Sequence, residues 1–153
     1  MANFEAAFEK TIKHEGGYVF DPDDNGGETK YGISASSYPN LNIRALTLDM
    51  AKLIYQKDYW EKIQGDRIAN QQLAEQIFDM AVNSGVGMAS KIIQRIVGAE
   101  DDGIIGDKTL PFINQAGSIL DDYKLWRIKF YMDLCSSNKS QRKFLYSWIK
   151  RVL

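Results

Sequence analysis

A pair of adjacent glycines after an amphipathic segment limits the folds open to this chain more than any other feature. Apolar residues recur at helical spacing from Phe4 to Ile12, and Asn3 is a typical N-cap residue for such a helix. We predict that the helix ends near Gly16-Gly17, because glycine favours left-handed or extended backbone and destabilises a helix interior. Glu15 is then expected on the last helical turn, where a carboxylate opposes the helix dipole. That position is poor for stability and indicates another purpose for Glu15.

The next segment, Asp21-Pro22-Asp23-Asp24-Asn25-Gly26-Gly27, consists of residues that favour turns. It separates Tyr18-Val19-Phe20 from the run 29–33, so we predict a small, irregular antiparallel hairpin. A loop rich in glycine and carboxylates therefore follows directly after the helix end that carries Glu15.

The remainder of the chain is predicted to be helical. Capping residues and periodicity indicate helices after Thr47, from Gln71 to Ser84 and from Met88 to Val97. Two further helices are expected near 118–135 and 140–152, after a loop at 100–109. No linker rich in Pro, Gly or Ser divides the chain. The fold class is therefore mainly α, with one small hairpin beside the end of the first helix.

Composition excludes several classes of function. Lys and Arg number 19 against 20 Asp and Glu in the 153 residues, so net charge gives no reason to expect a nucleic-acid partner. Cys135 is the only cysteine, which excludes an internal disulfide, and we expect it to fill space on a helix. His14 is the only histidine, which excludes zinc sites built on several histidines. We predict no metal and no cofactor.

The N-terminal residues lack the basic stretch and apolar run of a secretory signal, and no segment approaches the roughly 18 apolar residues of a membrane span. We therefore expect synthesis in the cytoplasm as a soluble product, with no membrane span.

Cleavage of a glycosidic bond commonly uses two carboxyl groups, one to protonate the leaving oxygen and one to activate water or stabilise the transition state. Glu15 is the candidate acid, because a helix C-terminus and apolar neighbours both disfavour its anion. Asp24, in an open polar loop, is the candidate base, with Asp23 and Glu28 as alternatives. Thr29 is a candidate to hold the attacking water, since its hydroxyl both donates and accepts.

Two other interpretations compete with this one. Glu15 paired with a cation, beside aspartates that only solvate a turn, is the structural alternative. Calcium is the other, because Asp21, Asp23, Asn25 and Gly26 match the first half of an EF-hand loop. The twelfth position is Gly32 where that loop has a bidentate Glu, which argues against an EF-hand.

The stretch His14-Glu15-Gly16-Gly17-Tyr18, with the run 26–34, resembles the signature of glycoside hydrolase family 108, the bacterial and phage N-acetylmuramidases. The order Glu15, Asp24, Thr29 is similar to the catalytic triad of lysozyme-like phage endolysins, although Thr29 falls about one residue early. Residues 78–85 resemble the groove-facing helix of the family, and 102–109 resemble its peptidoglycan-binding half. The resemblance implies one lysozyme-like domain over 1–153, with a catalytic lobe at about 1–90 and a helical peptidoglycan-binding half at about 91–153.

Candidate substrate-binding residues lie on the third predicted helix and among the aromatic residues. Asn83 can both donate to and accept from an acetamido group, and Asp79 lies one helical turn before it. Capping of the helix end beside Gly85 is the alternative role for Asn83. The aromatic candidates for sugar stacking, each equally explicable by packing, are Tyr31, Tyr55 and Trp60.

The resemblance implies an enzyme that cleaves the β-1,4 bond between N-acetylmuramic acid and N-acetylglucosamine in peptidoglycan. The alternative is a non-catalytic peptidoglycan-binding or secretion-accessory protein that keeps the groove. Because the substrate lies outside the membrane, the resemblance also implies a phage lysis context with a holin, or export through secretion machinery.

Overall fold

The structure is a computed structural model that describes residues 1–20 and 27–153. Most of these residues are in helices. The elements are α1 (Phe4–Ile12), β1 (Val19–Phe20), β2 (Glu28–Lys30), β3 (Ile33–Ser34), α2 (Leu48–Tyr55), α3 (Gln71–Ser84), α4 (Val86–Val97), α5 (Leu110–Gln115), α6 (Leu120–Ser137) and α7 (Leu145–Val152). A π-helical turn at Gln56–Trp60 extends α2, and 3-10 turns lie at Gly65–Arg67 and Lys139–Phe144. The prediction of a mainly α fold with one small sheet is confirmed.

Helix α1 begins as predicted and ends earlier. The Asn3 side chain accepts a hydrogen bond from the backbone N–H of Ala6 (3.1 Å), as an N-cap residue does. The helix ends at Ile12, so the placement of Glu15 on its last turn is wrong. The N–H groups of His14 and Glu15 instead donate three residues back (3.0 Å each), which tightens the chain into successive turns after the helix.

The predicted hairpin is confirmed and has a third strand. Strand β1 pairs antiparallel with β2, with Val19 opposite Thr29, and β2 pairs antiparallel with β3. The second reversal uses Tyr31 (φ 52°) and Gly32 (φ 75°), the two left-handed residues that a tight type I′ turn requires. The sequence predicted one strand across 29–33, because a tyrosine in left-handed conformation is rare and gives no turn signal.

The long helices largely follow the predicted boundaries. Helix α3 covers Gln71–Ser84 as predicted, while α4 begins at Val86 rather than Met88, because Gly85 alone breaks the chain at φ 93°. Helix α6 runs to Ser137, and α7 is shorter than predicted because 139–144 form a 3-10 turn. Among the described residues, no helix combines the length and apolar composition of a membrane span.

Buried side chains from both ends of the chain form one hydrophobic cluster. Phe4 and Trp60 both pack against Phe78 on α3, with ring centroids 5.9 and 5.6 Å away at nearly perpendicular angles, a favourable aromatic arrangement. Cys135 is buried on α6, as expected of a small apolar filler. Helix α3 contacts α1, α4 and α6, so this helix lies at the centre of the packing.

A cluster of buried charges crosses this core. Arg127 on α6 is fully buried, and its Nη2 lies 2.6 Å from Asp79 Oδ2 on α3. Arg151 on α7 approaches the same carboxylate, with Nε at 2.8 Å from Oδ1 and 2.9 Å from Oδ2. Thr11 on α1 also donates to Oδ1 (3.3 Å). One carboxylate therefore receives two arginines and a hydroxyl from three other helices.

We predict that Asp79→Asn lowers the free energy of unfolding by about 3–5 kcal/mol, the range typical for removing one partner of a buried ion pair. The two arginines would remain buried with their shared counter-charge removed. Urea unfolding followed by circular dichroism measures the change.

The matched control is Asp133→Asn, whose partner Lys129 lies one turn away on α6 with both side chains more than 60% exposed. That variant should cost less than about 0.5 kcal/mol, since exposed pairs one turn apart on a helix contribute roughly 0.3–0.5 kcal/mol. Equal losses for the two variants would show that Asp79 is not a structural centre.

Candidate active site

The carboxylate of Glu15 lies against the tight turn between β2 and β3. A Cβ atom added to Gly32 would lie 2.5 Å from Glu15 Oε2 and 2.5 Å from the Tyr55 hydroxyl. Two hydrogen bonds hold the turn in this position. The N–H of Tyr31 donates to the Gly16 carbonyl (3.2 Å), and the Tyr55 hydroxyl donates to the Tyr31 carbonyl (2.8 Å). Gly32 therefore serves both the turn and the close approach to Glu15.

Arg151 reaches the other side of the same carboxylate. Its Nη2 atom lies 2.9 Å from Glu15 Oε1, with 9% of the Arg151 side chain and 17% of the Glu15 side chain exposed. Burial by itself would lower the pKa of Arg151, but Asp79 and Glu15 hold that pKa above its ordinary value. Glu15 is therefore fixed by a permanent cation while a part of its side chain stays open to solvent.

The Tyr55 phenol beside this carboxylate is buried and neutral. Burial raises its pKa, and the nearby charge of Glu15 raises it further. Because its proton is donated to the Tyr31 carbonyl, Tyr55 orients the turn rather than exchanging protons with solvent.

Glu28, one of the alternatives for the second carboxylate, is occupied by other side chains. It accepts a hydrogen bond from the Tyr18 hydroxyl (2.9 Å) and pairs with Arg44 Nε (2.5 Å). The hydrogen bonds from Tyr18 and Arg44 lower the pKa of Glu28 below its ordinary value. These contacts brace the hairpin against the segment after it, which is a structural role.

The remaining catalytic candidates lie on or beside the hairpin. Asp24 and Asp23 lie outside the described residues, as does most of the loop considered for calcium. Thr29 is in the middle of β2, opposite Val19 and Ser34, and is partly exposed. Since side chains alternate along a strand, Thr29 lies on the opposite face of β2 from Glu28 and its partner Arg44.

Three of the predicted substrate-binding residues are corrected by the structure. Asp79 is buried within the ion-pair cluster, so it does not face a groove beside Asn83. Tyr55 and Trp60 are also buried, and Trp60 Nε1 donates to Asp66 Oδ1 (2.8 Å). Neither ring offers a face to a sugar. Helical and aromatic patterns do not distinguish a groove wall from the core behind it.

Tyr31 and Asn83 stay candidates for contact with substrate. Tyr31 is partly exposed on the turn that covers Glu15, and Lys30 Nζ lies 5.5 Å from its ring centroid. Asn83 is partly exposed near the end of α3, and its Oδ1 accepts from the Tyr131 hydroxyl (2.8 Å). That contact orients the amide so that its NH₂ group is the end directed away from the tyrosine.

The sequence did not predict the roles of Arg127, Arg151 and Gly32 around the Glu15 carboxylate. Arg127 falls between the buried residues Tyr123 and Tyr131 at four-residue spacing, and a charge within such a stripe signals a buried partner. Arg151 precedes buried Val152 in a short helix and carries no comparable signal.

Together, the helical fold, the small sheet and a partly open carboxylate in the turns after α1 define a lysozyme-like protein. The solved structure titled "Structure of Brucella abortus SagA" matches with a TM-score of 0.77 and 29% sequence identity over 97% of this chain and 92% of that chain. A comparison with curated proteins found no match.

The family model described as Glycosyl hydrolase 108 matches residues 8–85, and the model described as Predicted Peptidoglycan domain matches residues 88–153. The first match covers 78 of the 153 residues, from α1 through Gly85. The chain therefore belongs to the glycosyl hydrolase 108 family, and its two segments identify it as a lysozyme-like protein that acts on peptidoglycan.

We predict that Gly32→Ala abolishes most hydrolytic activity, because the added methyl group would displace the Glu15 carboxylate or the turn above it. A displacement of about 1 Å in a catalytic group can lower rates by roughly 10²-fold. Clearing of purified cell walls, followed by turbidity, measures the loss.

Gly98→Ala is the matched control. Gly98 also has a positive φ (70°), but nothing lies within 4 Å of an added Cβ atom. Both variants carry a left-handed alanine and should lose about 1–2 kcal/mol of stability. If the Gly98 variant loses as much activity as the Gly32 variant, backbone strain rather than contact with Glu15 is the cause.

Proposed function

We propose that this protein is an N-acetylmuramidase that hydrolyses the β-1,4 bond between N-acetylmuramic acid and N-acetylglucosamine, with Glu15 as the general acid. The observation that carries the proposal is the position of the Glu15 carboxylate, held between Gly32 and Arg151 yet partly open, in a chain of the glycosyl hydrolase 108 family. Glycoside hydrolases place a carboxylic acid beside the leaving oxygen in this way.

In this mechanism the protonated Glu15 donates to the glycosidic oxygen as the bond to the anomeric carbon breaks. A second carboxylate then stabilises the positive charge that develops on the sugar or activates a water molecule. Asp24 is proposed for that role, because Glu28 already receives hydrogen bonds from two side chains. Thr29 is proposed to hold the water, and Tyr31 and Asn83 to contact the sugars.

Peptidoglycan lies outside the cytoplasmic membrane, so this function requires a route across it. We propose either a phage lysis setting, in which a holin opens the membrane for an endolysin, or export by secretion machinery for a bacteriolytic enzyme. Tests of activity on isolated walls do not depend on which route operates.

We predict that digestion of purified sacculi releases muropeptides with muramic acid at the reducing end, and that Glu15→Gln lowers turnover by about 10²–10⁴-fold. Glutamine keeps the shape of the side chain but has no carboxylic proton to transfer. Mass spectrometry of the reduced products identifies the bond, and thermal unfolding checks the fold.

Glu9→Gln, which changes an exposed carboxylate on α1, is the control and should leave turnover unchanged. The Glu15 variant should melt slightly below the wild type, because Arg151 loses one of its two counter-charges. A carboxylate on the last turn of α1 would oppose the helix dipole, and its removal would not lower the melting temperature. Because α1 ends at Ile12, that argument does not apply to Glu15. Cut stem peptides with intact glycan strands would contradict the proposed bond, and wall binding without any product would indicate the accessory protein instead.

We predict that Asp24→Asn lowers activity more than Glu28→Gln does. Glu28→Gln should instead change the pH dependence of stability. Because the pKa of Glu28 is lowered in the folded state, its stabilising contribution is complete above its ordinary pKa of 4.5 and is lost as the pH falls further.

Thermal midpoints at pH 7 and pH 3 measure this effect, and the difference between the two should be smaller in Glu28→Gln than in the wild type. If Glu28→Gln abolishes wall clearing without lowering stability at pH 7, then Glu28 rather than Asp24 is the second catalytic carboxylate.

A further inference from the structure

We propose that Arg151 and Asp79 are positioning residues for Glu15, so that α7 completes the catalytic centre from the segment matched as a peptidoglycan domain. Glu15 and Asp79 lie in the segment 8–85, whereas Arg127 and Arg151 lie in the segment 88–153. The inference rests on the proposed function, since it takes Glu15 to be the general acid.

The orientation of the Arg151 guanidinium is determined by Asp79. Its Nε atom donates to both carboxylate oxygens (2.8 and 2.9 Å), and its Nη2 atom lies 2.9 Å from Glu15 Oε1 as an ion pair. A guanidinium is planar and rigid, so a bond on one edge determines where the other edge lies. With 91% of its side chain buried, Arg151 has little freedom to adopt another geometry.

Asp79 is itself held from several directions. Arg127 donates to its Oδ2 at 2.6 Å, and Thr11 donates to its Oδ1 at 3.3 Å. Arg127 in turn donates to Gln76 Oε1 (2.5 Å) and to the Tyr131 hydroxyl (3.3 Å). Three ion pairs and the Thr11 hydrogen bond therefore connect Glu15 to helices α1, α3, α6 and α7.

The charges of the cluster balance when Glu15 is ionised, because two arginines then face two carboxylates. As the general acid gives up its proton in the transition state, negative charge develops on Glu15 next to Arg151. A cation already 2.9 Å from that oxygen stabilises the developing charge without moving, which lowers the barrier to proton transfer.

Asp79 has the opposite electrostatic effect on Glu15. Its negative charge offsets part of the Arg151 charge, so Glu15 is oriented by a cation whose field is reduced. Four tyrosines lie around the cluster, namely Tyr55 and Tyr59 near α2 and Tyr123 and Tyr131 on α6. Five charged or titratable residues line a cavity of about 370 Å³ with Thr11, Asp79 and Arg151, namely Lys10, Lys13, His14, Glu75 and Lys150.

The test compares full-length Arg151→Gln and Arg151→Lys with the wild type in kcat and KM on solubilised peptidoglycan strands across pH 4–9. Arg151→Gln should lower kcat by about 10²-fold with KM little changed, as expected for a misplaced catalytic group. In Arg151→Gln the decline of kcat/KM at high pH should also begin about one pH unit higher than in the wild type. The reason is that a cation close to a carboxyl group favours loss of its proton.

Arg151→Lys separates charge from geometry. The ammonium group keeps the positive charge, so the high-pH fall should stay near its wild-type position, while kcat should remain lowered because a point charge cannot span both carboxylates. Asp79→Asn, assayed well below its own thermal midpoint, should move the high-pH fall in the opposite direction, to lower pH. A purely structural role for the pair predicts no such opposite shifts.

Arg95→Gln is the matched control, since Arg95 forms an exposed ion pair with Asp101 (2.7 Å) in the same segment of the chain. It should leave both kcat and the pH profile unchanged. Arg151→Gln with wild-type kcat and pH profile, or with only a lower thermal midpoint, would overturn the positioning role. Turnover that persists in Glu15→Gln would overturn the proposed function itself, and the two failures are thereby distinguished.

Discussion

The carboxylate of Asp79 is the contact on which the rest of the structure depends. Two buried arginines, Arg127 and Arg151, both contact this side chain, and Glu15 supplies the second negative charge beside Arg151. Burial of an unpaired charge costs several kcal/mol. Since the arginines come from α6 and α7, this one carboxylate on α3 makes ion pairs with both helices. The same contact directs Arg151 at Glu15, so stability and the candidate catalytic geometry share a cause.

The buried ion-pair cluster joins the two segments that the family models match. The family models divide the chain between Gly85 and Met88, at the break between α3 and α4. The buried cluster crosses that division, because its carboxylates precede it and its arginines follow it. The second segment therefore contributes a charged contact to Glu15, the candidate general acid.

The sequence predicted what depends on neighbours in the chain. Helix starts at Asn3 and Thr47 follow from local capping, and Glu15 was singled out by a short stretch of adjacent residues. The surroundings of Glu15 were not predicted, because they bring together residues that are far apart in sequence. Asp79 and Trp60 were assigned to a groove for the same reason. A residue on the apolar side of a helix can face the core or a cleft, and only tertiary packing decides which.

Glu15 illustrates how local and distant constraints act on one group. From one side Gly32 approaches so closely that a single methyl group would collide with the carboxylate, which is a steric limit supplied by a tight turn. From the other side Arg151 attracts the same carboxylate, which is an electrostatic limit supplied by α7. Steric contact with Gly32 on one side and attraction to Arg151 on the other together restrict the orientation of the Glu15 carboxylate. The sequence predicted neither limit, because left-handed Tyr31 gives no turn signal and Arg151 lies far from Glu15 along the chain.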